Sequence, residues 1–382
     1  MTINNNFLEI HRFYNLARYL FLNIDWEYNN FIKNTGISLP QLRVLWIIKI
    51  YPGISLGEIA KVGCWSPPTV TKTVQSLIAK KLAVRLESSS KKLFSLGLTD
   101  YGKTIIKINR LTKADDFVLF NLLSALSPND FDLAIELNEL NPVNELDPVN
   151  ELNPVNELDP AIELKSVNEL DSVIELFERI TSHSNNDFLF DYINKMNKME
   201  LKIDYYNFSE LEKSNLQKLI QFYNLLRTFV LTTEKKHRSL LVPLNLTYPQ
   251  LRSLWIINAY PGITSKKLSQ LAYLSPSTVN VIVKNLFNKN LVIKEKSELK
   301  NSLFLYITDS GKTLLVNDFH DNQKSMLAYS DLTFLTTAEL KSLNLFMTKL
   351  NASLKSNYVQ SYIAKTIKEI EKMGKKGKNA ND

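Results

Sequence analysis

Apolar and polar positions recur at helical spacing in the stretch from Ser66 to Leu77. Val70, Val74 and Leu77 form one apolar stripe, and the opposite face carries short polar or basic side chains. Ser66 is a suitable N-cap, and Pro67 occupies the first helical position, where a missing N–H costs nothing. The pattern predicts an amphipathic helix. Its acid-free outer face either meets solvent or is presented to a polyanion.

The same pattern returns 209 residues later, from Ser275 to Leu286. The cap, the proline, the threonine and the apolar stripe recur in the same order. A Pro-opened apolar segment at 40–48 returns at 249–257 with the same offset, and each is closed by Tyr-Pro-Gly-Ile. A constant offset across several motifs indicates an internal duplication, which favours a presented helix over a merely solvated one.

Each copy predicts a helix-turn-helix followed by a β-hairpin, or wing. Ser55 and Glu58 form a capping box at the start of a short helix, which ends at a Gly-Cys-Trp turn before the presented helix. In the second copy Thr264 keeps the cap, while Lys267 replaces the acid. Leu-Thr-x-x-Gly-Lys then starts a further helix. The predicted strands are 82–87 and 93–98 in the first copy, and 291–295 and 302–307 in the second.

Composition and charge narrow the class of partner. The chain has 382 residues, enough for two or more domains, and no apolar run approaches the ~20 residues of a membrane span. Net charge is +7, but residues 132–178 hold thirteen acids and one lysine, a net −12, so the remainder carries +19. A basic body favours polyanion partners. With Cys64 as the single cysteine and no signal-peptide pattern at the start, we expect a reducing cytoplasm.

The order of these elements resembles the MarR family of winged helix-turn-helix transcription regulators. The resemblance covers about 11–137 and 220–355. It implies a mainly α fold with small β-wings (α+β). Family members are usually homodimers joined by interlocking N- and C-terminal helices. The two winged helix-turn-helix domains are therefore expected to form an intramolecular pseudo-dimer through such helices.

The wings depart from the family pattern, which usually ends in Asp-x-Arg. Lys92 stands at the arginine position of the first copy, with Lys91 beside it and Ser90 in place of the aspartate. In the second copy the matching residues are Lys300 and Asn301, so that wing lacks a cation at the diagnostic position. We therefore expect unequal wing contacts and asymmetric binding.

Six near-identical hexads at 141–176 interrupt the duplication. Proline every six residues forbids a continuous α-helix, and Asx-Pro favours repeated turns. A β-solenoid would have only about two coils, below the ~3 repeats that such stacks need. Removal of 138–176 rejoins one amphipathic helix, which favours a tandem expansion of the hexad within that helix, tolerated at the surface. The functional alternative is an acidic arm that binds a partner or shields a basic face. The expected divisions are 1–137 and 216–360 for the two domains, 138–176 for the acidic insertion, 177–215 for a helical connector and 361–382 for a basic tail.

The resemblance and the outer helix faces together predict a sequence-specific double-stranded DNA-binding transcription regulator, more a repressor than an activator, located in a bacterial cytoplasm at the nucleoid. The two sets of outward residues differ, so the operator is expected to be an imperfect palindrome. The predicted DNA contacts of the first copy are Pro68, Thr69, Thr71, Lys72, Gln75, Ser76, Arg85, Lys91 and Lys92. Those of the second copy are Ser277, Thr278, Asn280, Val281, Lys284, Asn285, Lys294 and Lys300.

Other functions find little support in the residues. Four scattered histidines show no metal-ligand spacing, and no Gly-rich phosphate loop occurs, so we expect no enzyme activity, metal or cofactor. Oxidation of Cys64 could disturb DNA docking, but its counterpart Tyr273 indicates a space-filling position. The resemblance allows a small aromatic effector and leaves further association open. The alternative to DNA reading is a protein-interaction regulator that acts through the acidic arm.

Overall fold

The computed structural model describes both copies of the duplication in part. The described residues are 5–32, 35–86, 95–108, 122, 166–183, 191–195, 210–296, 303–320, 329–354 and 361–368. Hexads up to residue 165, the helix start expected at 126–130 and the lysine-rich tail from 369 onward lie outside them.

The first copy follows the predicted order of helix, helix-turn-helix, wing and helix. Its strands β1 and β2 pair antiparallel, with Ala83 opposite Leu98 and Leu86 opposite Ser95. The elements are α1 (Asn5–Ile32), α2 (Leu39–Ile50), α3 (Leu56–Gly63), α4 (Pro67–Ala79), β1 (Ala83–Leu86), β2 (Ser95–Leu98) and α5 (Asp100–Ile108).

The second copy repeats this order after the helix α6 (Ser166–Ser182). Its sheet has the strand order β3-β5-β4 and is antiparallel throughout. The mainly helical fold class with small β-wings is therefore confirmed. The elements are α7 (Glu210–Leu240), α8 (Tyr248–Ala259), β3 (Ile263–Thr264), α9 (Ser265–Ala272), α10 (Pro276–Asn288), β4 (Val292–Lys296), β5 (Leu303–Ile307), α11 (Asp309–His320) and α12 (Thr337–Ala352).

Helix starts follow the capping residues of the sequence. The Ser55 side chain accepts from the Glu58 N–H, and the Glu58 carboxylate accepts from the Ser55 N–H, which confirms the capping box of α3. Thr264 caps α9 without a box, as the lysine at 267 predicts. The Pro-opened helix α2 gains a capping box that the sequence analysis missed, formed by Ser38 and Gln41. Local hydrogen bonding therefore sets each helix start.

The Leu-Thr-x-x-Gly motif locks the wing to the helix that follows it. The Thr99 hydroxyl donates to the Lys81 carbonyl over 2.7 Å, and the Gly102 N–H donates to the Thr99 hydroxyl over 3.0 Å. A Cβ at Gly102 would lie 2.1 Å from the Leu82 carbonyl oxygen, so this close approach requires glycine. Gly311 repeats the arrangement, 2.4 Å from the Leu291 carbonyl oxygen.

We expect Gly102→Ala and Gly311→Ala each to lower the free energy of unfolding by about 1–3 kcal/mol, because the added methyl overlaps fixed backbone. Urea denaturation measures the effect. Gly57→Ala is the matched control, since its Cβ would meet nothing nearer than 4.0 Å in the exposed first turn of α3. The control should be neutral or up to ~1 kcal/mol more stable. Equal effects at all three glycines would contradict the backbone clash.

One hydrophobic core runs through both copies. Helix α1 packs against α12 and α7, and α7 packs against α6. The Phe13 and Phe229 rings stack with centroids 5.3 Å apart, and Phe177 of α6 meets Phe222 edge-on at 5.4 Å. Amide contacts add to this, since the Asn351 side chain donates to the Leu16 carbonyl over 3.1 Å. The long helices therefore hold the two winged lobes on one shared base.

The last hexads belong to this core. Helix α6 begins at Ser166, within the segment expected to be an insertion up to 176, because no proline follows Pro160 there. Leu170, Val173 and Ile174 of these hexads are buried. The expanded repeat therefore supplies part of the helix that packs on α7.

Candidate nucleic-acid interface

A left-handed residue sets the angle between the two helices of each helix-turn-helix. Cys64 caps α3 with φ 53°, and Tyr273 caps α9 with φ 51°. Cys64 is buried, and burial raises the pKa of its thiol. A buried protonated thiol is a weak nucleophile. The structure therefore favours the space-filling interpretation of this position over the redox one.

Helix α4 presents the predicted residues on the face opposite its buried stripe. Val70, Val74 and Leu77 are buried in the first lobe, and the Ser66 hydroxyl accepts from the Thr69 N–H. The predicted contacts Pro68, Thr69, Lys72 and Gln75 are exposed, and Thr71 and Ser76 are half-buried.

All three hydroxyl groups of this set already have protein partners, and the Thr69 hydroxyl shares a hydrogen bond of 2.8 Å with the Ser66 hydroxyl. Thr71 donates to the Pro67 carbonyl over 3.0 Å, and Ser76 accepts from the Gln41 side chain over 2.9 Å. Ser76 therefore also ties α4 to α2. The Lys72 side chain extends from the exposed face.

Helix α10 presents the second set in the same way. Val279, Ile282, Val283 and Leu286 are buried, and Ser275 caps the helix by accepting from the Thr278 N–H. The predicted contacts Ser277, Thr278, Asn280, Val281 and Lys284 are exposed, and Asn285 is half-buried.

The wings place one cation each beside the presented helices. Arg85 is exposed on β1, and Lys294 is exposed on β4 with its ammonium 5.1 Å from the centre of the Phe287 ring. Glu295 follows Lys294 and lowers the local positive charge. The wing-tip contacts Lys91, Lys92 and Lys300 lie outside the described residues. The role of all seventeen residues in DNA binding stays a prediction.

A cluster of buried charges lies beneath each lobe, and the sequence analysis did not find it. On one side, Arg18 of α1 pairs with Glu234 of α7 over 2.7 Å. On the other side, the Asp25 carboxylate accepts from both Arg43 Nη atoms and from the Tyr223 hydroxyl. The signal was present in the duplication, because Arg18 and Arg227, Arg43 and Arg252, and Asp25 and Glu234 are related by the offset of 209.

The two sides use their single carboxylate differently. Glu234 forms an ion pair with Arg18 of the long helix α1. Asp25 instead pairs with Arg43 of α2, so Arg227 has no ion pair among the described residues. Arg227 is 6% exposed, and its Nε and Nη2 atoms have no hydrogen-bond partner among the residues that the structure describes. Its guanidinium lies 5.9 Å from the Trp65 ring centre.

The environment of Arg227 is unfavourable for a bare cation. Burial and the neighbouring Arg43 lower the pKa of the guanidinium, although an arginine keeps its charge. On the opposite side, Arg252 donates to the Ala272 carbonyl over 3.1 Å and lies 4.9 Å from the Tyr19 ring centre. Among the described residues, the Nε and Nη2 atoms of Arg227 therefore meet no acceptor, and Asp25 acts on its charge only through Coulombic attraction.

Comparison with known proteins identifies both lobes. The MarR family profile matches residues 37–92 and 246–298. The "Organic hydroperoxide resistance transcriptional regulator" of Bacillus subtilis (strain 168) is 30% identical over 81 residues, which is 21% of this chain and 55% of that protein. The alignment therefore spans about half the length of that relative.

Solved structures also match parts of this chain. FabT of Streptococcus pneumoniae in complex with DNA is 18% identical with a TM-score of 0.24, over 28% of this chain and 74% of that one. A MarR family protein of Mycobacterium tuberculosis in complex with p-aminosalicylic acid is 23% identical with a TM-score of 0.29, over 33% of this chain and 95% of that one.

The repeated helix-turn-helix and wing define a tandem winged helix-turn-helix protein. With a profile match in each copy, the chain carries two regions that are similar to the MarR family. Within the described ranges, no helix combines the length and apolar character needed to cross a membrane. No three His, Cys, Asp or Glu side chains of these ranges gather as a metal site.

Proposed function

We propose that this chain is a sequence-specific double-stranded DNA-binding transcription regulator, acts as a repressor at the nucleoid in the cytoplasm, and is not an enzyme. The observation that carries the proposal is the pair of acid-free helices α4 and α10, each capped, exposed and backed by a buried stripe. Helices of this kind read base edges in the major groove. FabT, one of the proteins matched above, is solved in complex with DNA.

The proposal includes two unequal half-sites read by one chain. The shared core of α1, α7 and α12 supports a single-chain pseudo-dimer whose two presented helices would approach one duplex from a common base. Their centres should lie about one helical turn, ~34 Å, apart on DNA. The domain divisions at 1–137 and 216–360, separated by the insertion and the connector, belong to this proposal.

A protein-interaction regulator remains the second candidate, favoured by the thirteen acids of residues 132–178. Removal of 138–164 discriminates between the two and leaves α6 intact. The DNA-binding proposal predicts retained DNA affinity, whereas the interaction proposal predicts loss of a protein partner.

We propose further that a small aromatic carboxylate acts as effector beside Arg227. The guanidinium supplies an uncompensated charge for the carboxylate, and Trp65, at 5.9 Å, supplies an aromatic face. A charge-assisted bond to a carboxylate would satisfy the unpartnered Nε and Nη2 atoms. The mycobacterial protein matched above was solved with such a compound.

Lys72→Ala is expected to weaken DNA binding and to lower the slope of log affinity against log salt by about one, because one phosphate contact is lost. The slope is measured by DNA titrations at salt concentrations between about 50 and 200 mM. Lys103→Ala, on the exposed part of α5, is the control and should leave the slope unchanged. An unchanged slope in the Lys72 variant would remove that residue from phosphate contact.

Selection from a random pool of duplex DNA at about 0.15 M salt tests the proposal as a whole. We expect enrichment of one lopsided site with two half-sites. Salt-sensitive binding without any enriched sequence would contradict the DNA-reading proposal.

A further inference from the structure

The two presented helices differ at the residue that points most directly outward. At about 100° per residue, Lys72 lies about 190° from the centre of the buried stripe of Val70, Val74 and Leu77. The duplication places Val281 at the same position of α10. The first helix therefore extends a cation where the second presents an apolar side chain.

Val281 has no structural reason to be apolar. It is 60% exposed, whereas the buried stripe of α10 consists of other residues. Its neighbours one turn away on the helix surface are Ser277, Thr278, Lys284 and Asn285, which are all polar. An apolar β-branched residue in a polar surface gains nothing from the fold here. On a helix presented to DNA, this side chain is placed to meet an apolar group of the partner.

We infer that Val281 reads the C5-methyl group of a thymine in the half-site of the second copy. The inference rests on the proposed function and names the base that this copy selects. The thymine methyl is the apolar feature of the base edges in the major groove, and an apolar side chain meets it without leaving a polar group unpaired. Valine has no donor or acceptor with which to read any other base edge.

The opposite copy cannot make this contact. The Lys72 ammonium carries three donors and suits a guanine edge or a phosphate oxygen. The half-sites are therefore expected to differ at the base pair that meets these two residues. Thymine is required in the second half-site and not in the first.

The experiment uses the full chain and the duplex that it selects from the random pool. Each thymine of the second half-site is replaced singly by deoxyuridine, which removes only the methyl group. One replacement should weaken binding about fourfold, the value of one buried methyl group. In a duplex that carries thymine at the position of the first half-site that meets Lys72, the same replacement is expected to change binding less than twofold.

Two protein variants assign the effect to Val281. Val281→Lys should remove the sensitivity to deoxyuridine at that position. Lys72→Val should create the sensitivity in a duplex whose first half-site has been given thymine at the equivalent base pair. Both residues are exposed, so neither variant should unfold the chain.

The outcomes distinguish a failure of the thymine contact from a failure of the proposed DNA-binding function. An enriched site that tolerates every deoxyuridine, or a sensitivity that persists in Val281→Lys, overturns the inference and leaves the regulator intact. A pool without any enriched sequence overturns both.

Discussion

Asp25→Asn should lower the free energy of unfolding by about 1–3 kcal/mol, because it removes the charged acceptor of a half-buried ion pair and leaves the donors unsatisfied. The Asp25 carboxylate is the acceptor for two Arg43 bonds, of 2.9 and 2.5 Å, and for the Tyr223 hydroxyl at 2.6 Å. Asparagine removes the negative charge that faces the half-buried Arg43 and the buried Arg227. Because Tyr223 belongs to the second copy, the variant also weakens the contact between copies.

Urea denaturation of the full chain measures this effect. Asp100→Asn is the matched control, because Asp100 pairs with Lys103 at an exposed site where its side chain is 97% accessible. An exposed pair of this kind adds little to stability, so the control should unfold with the wild type. If the two variants unfolded alike, Asp25 would not be the acid that compensates the buried arginines.

Arg227→Met should raise the free energy of unfolding by about 1–4 kcal/mol, because it replaces an unpaired buried charge with an apolar side chain of similar length. Arg18→Met makes the same chemical change at the equivalent position of the first copy, but we expect it to lower the free energy of unfolding. Arg18 is paired with Glu234, so its loss leaves that half-buried carboxylate without its cation and should cost about 1–3 kcal/mol.

Binding of an added anion tests whether the opposite effects of the two variants arise from an unpaired charge at Arg227. Benzoate should raise the melting temperature of the wild type, because a ligand that binds the folded state stabilises it by mass action. It should have no such effect on Arg227→Met. Two variants that lose stability equally, together with a benzoate response that survives in Arg227→Met, would contradict a vacant anion position at Arg227.

Most of the fold could be predicted from the sequence because the signals are local and occur in both copies of the duplication. Ser55, Ser66 and Ser275 are caps whose effect depends on the next three residues, and the structure confirms each of them. The strand β3 was missed because it has two residues, and its pairing of Ile263 with Leu305 depends on a contact far along the chain.

The pairing of these charges was beyond prediction for a physical reason. Arg18 and Arg227 are the same residue in the same motif, so no local pattern distinguishes them. Their difference arises from which arginine the single nearby carboxylate meets across the contact between copies. Asp25 is one methylene shorter than Glu234, and it pairs with Arg43 instead of Arg227. Such a choice depends on packing between elements distant in the sequence.

The mass of the complex with the selected duplex tests the central claim most directly. Native mass spectrometry should show one chain of 43.9 kDa on one duplex that carries both half-sites. Mutation of either half-site should weaken this same one-to-one complex. Two chains on the duplex, or a single half-site sufficient for full affinity, would contradict a single chain that reads DNA with both of its copies.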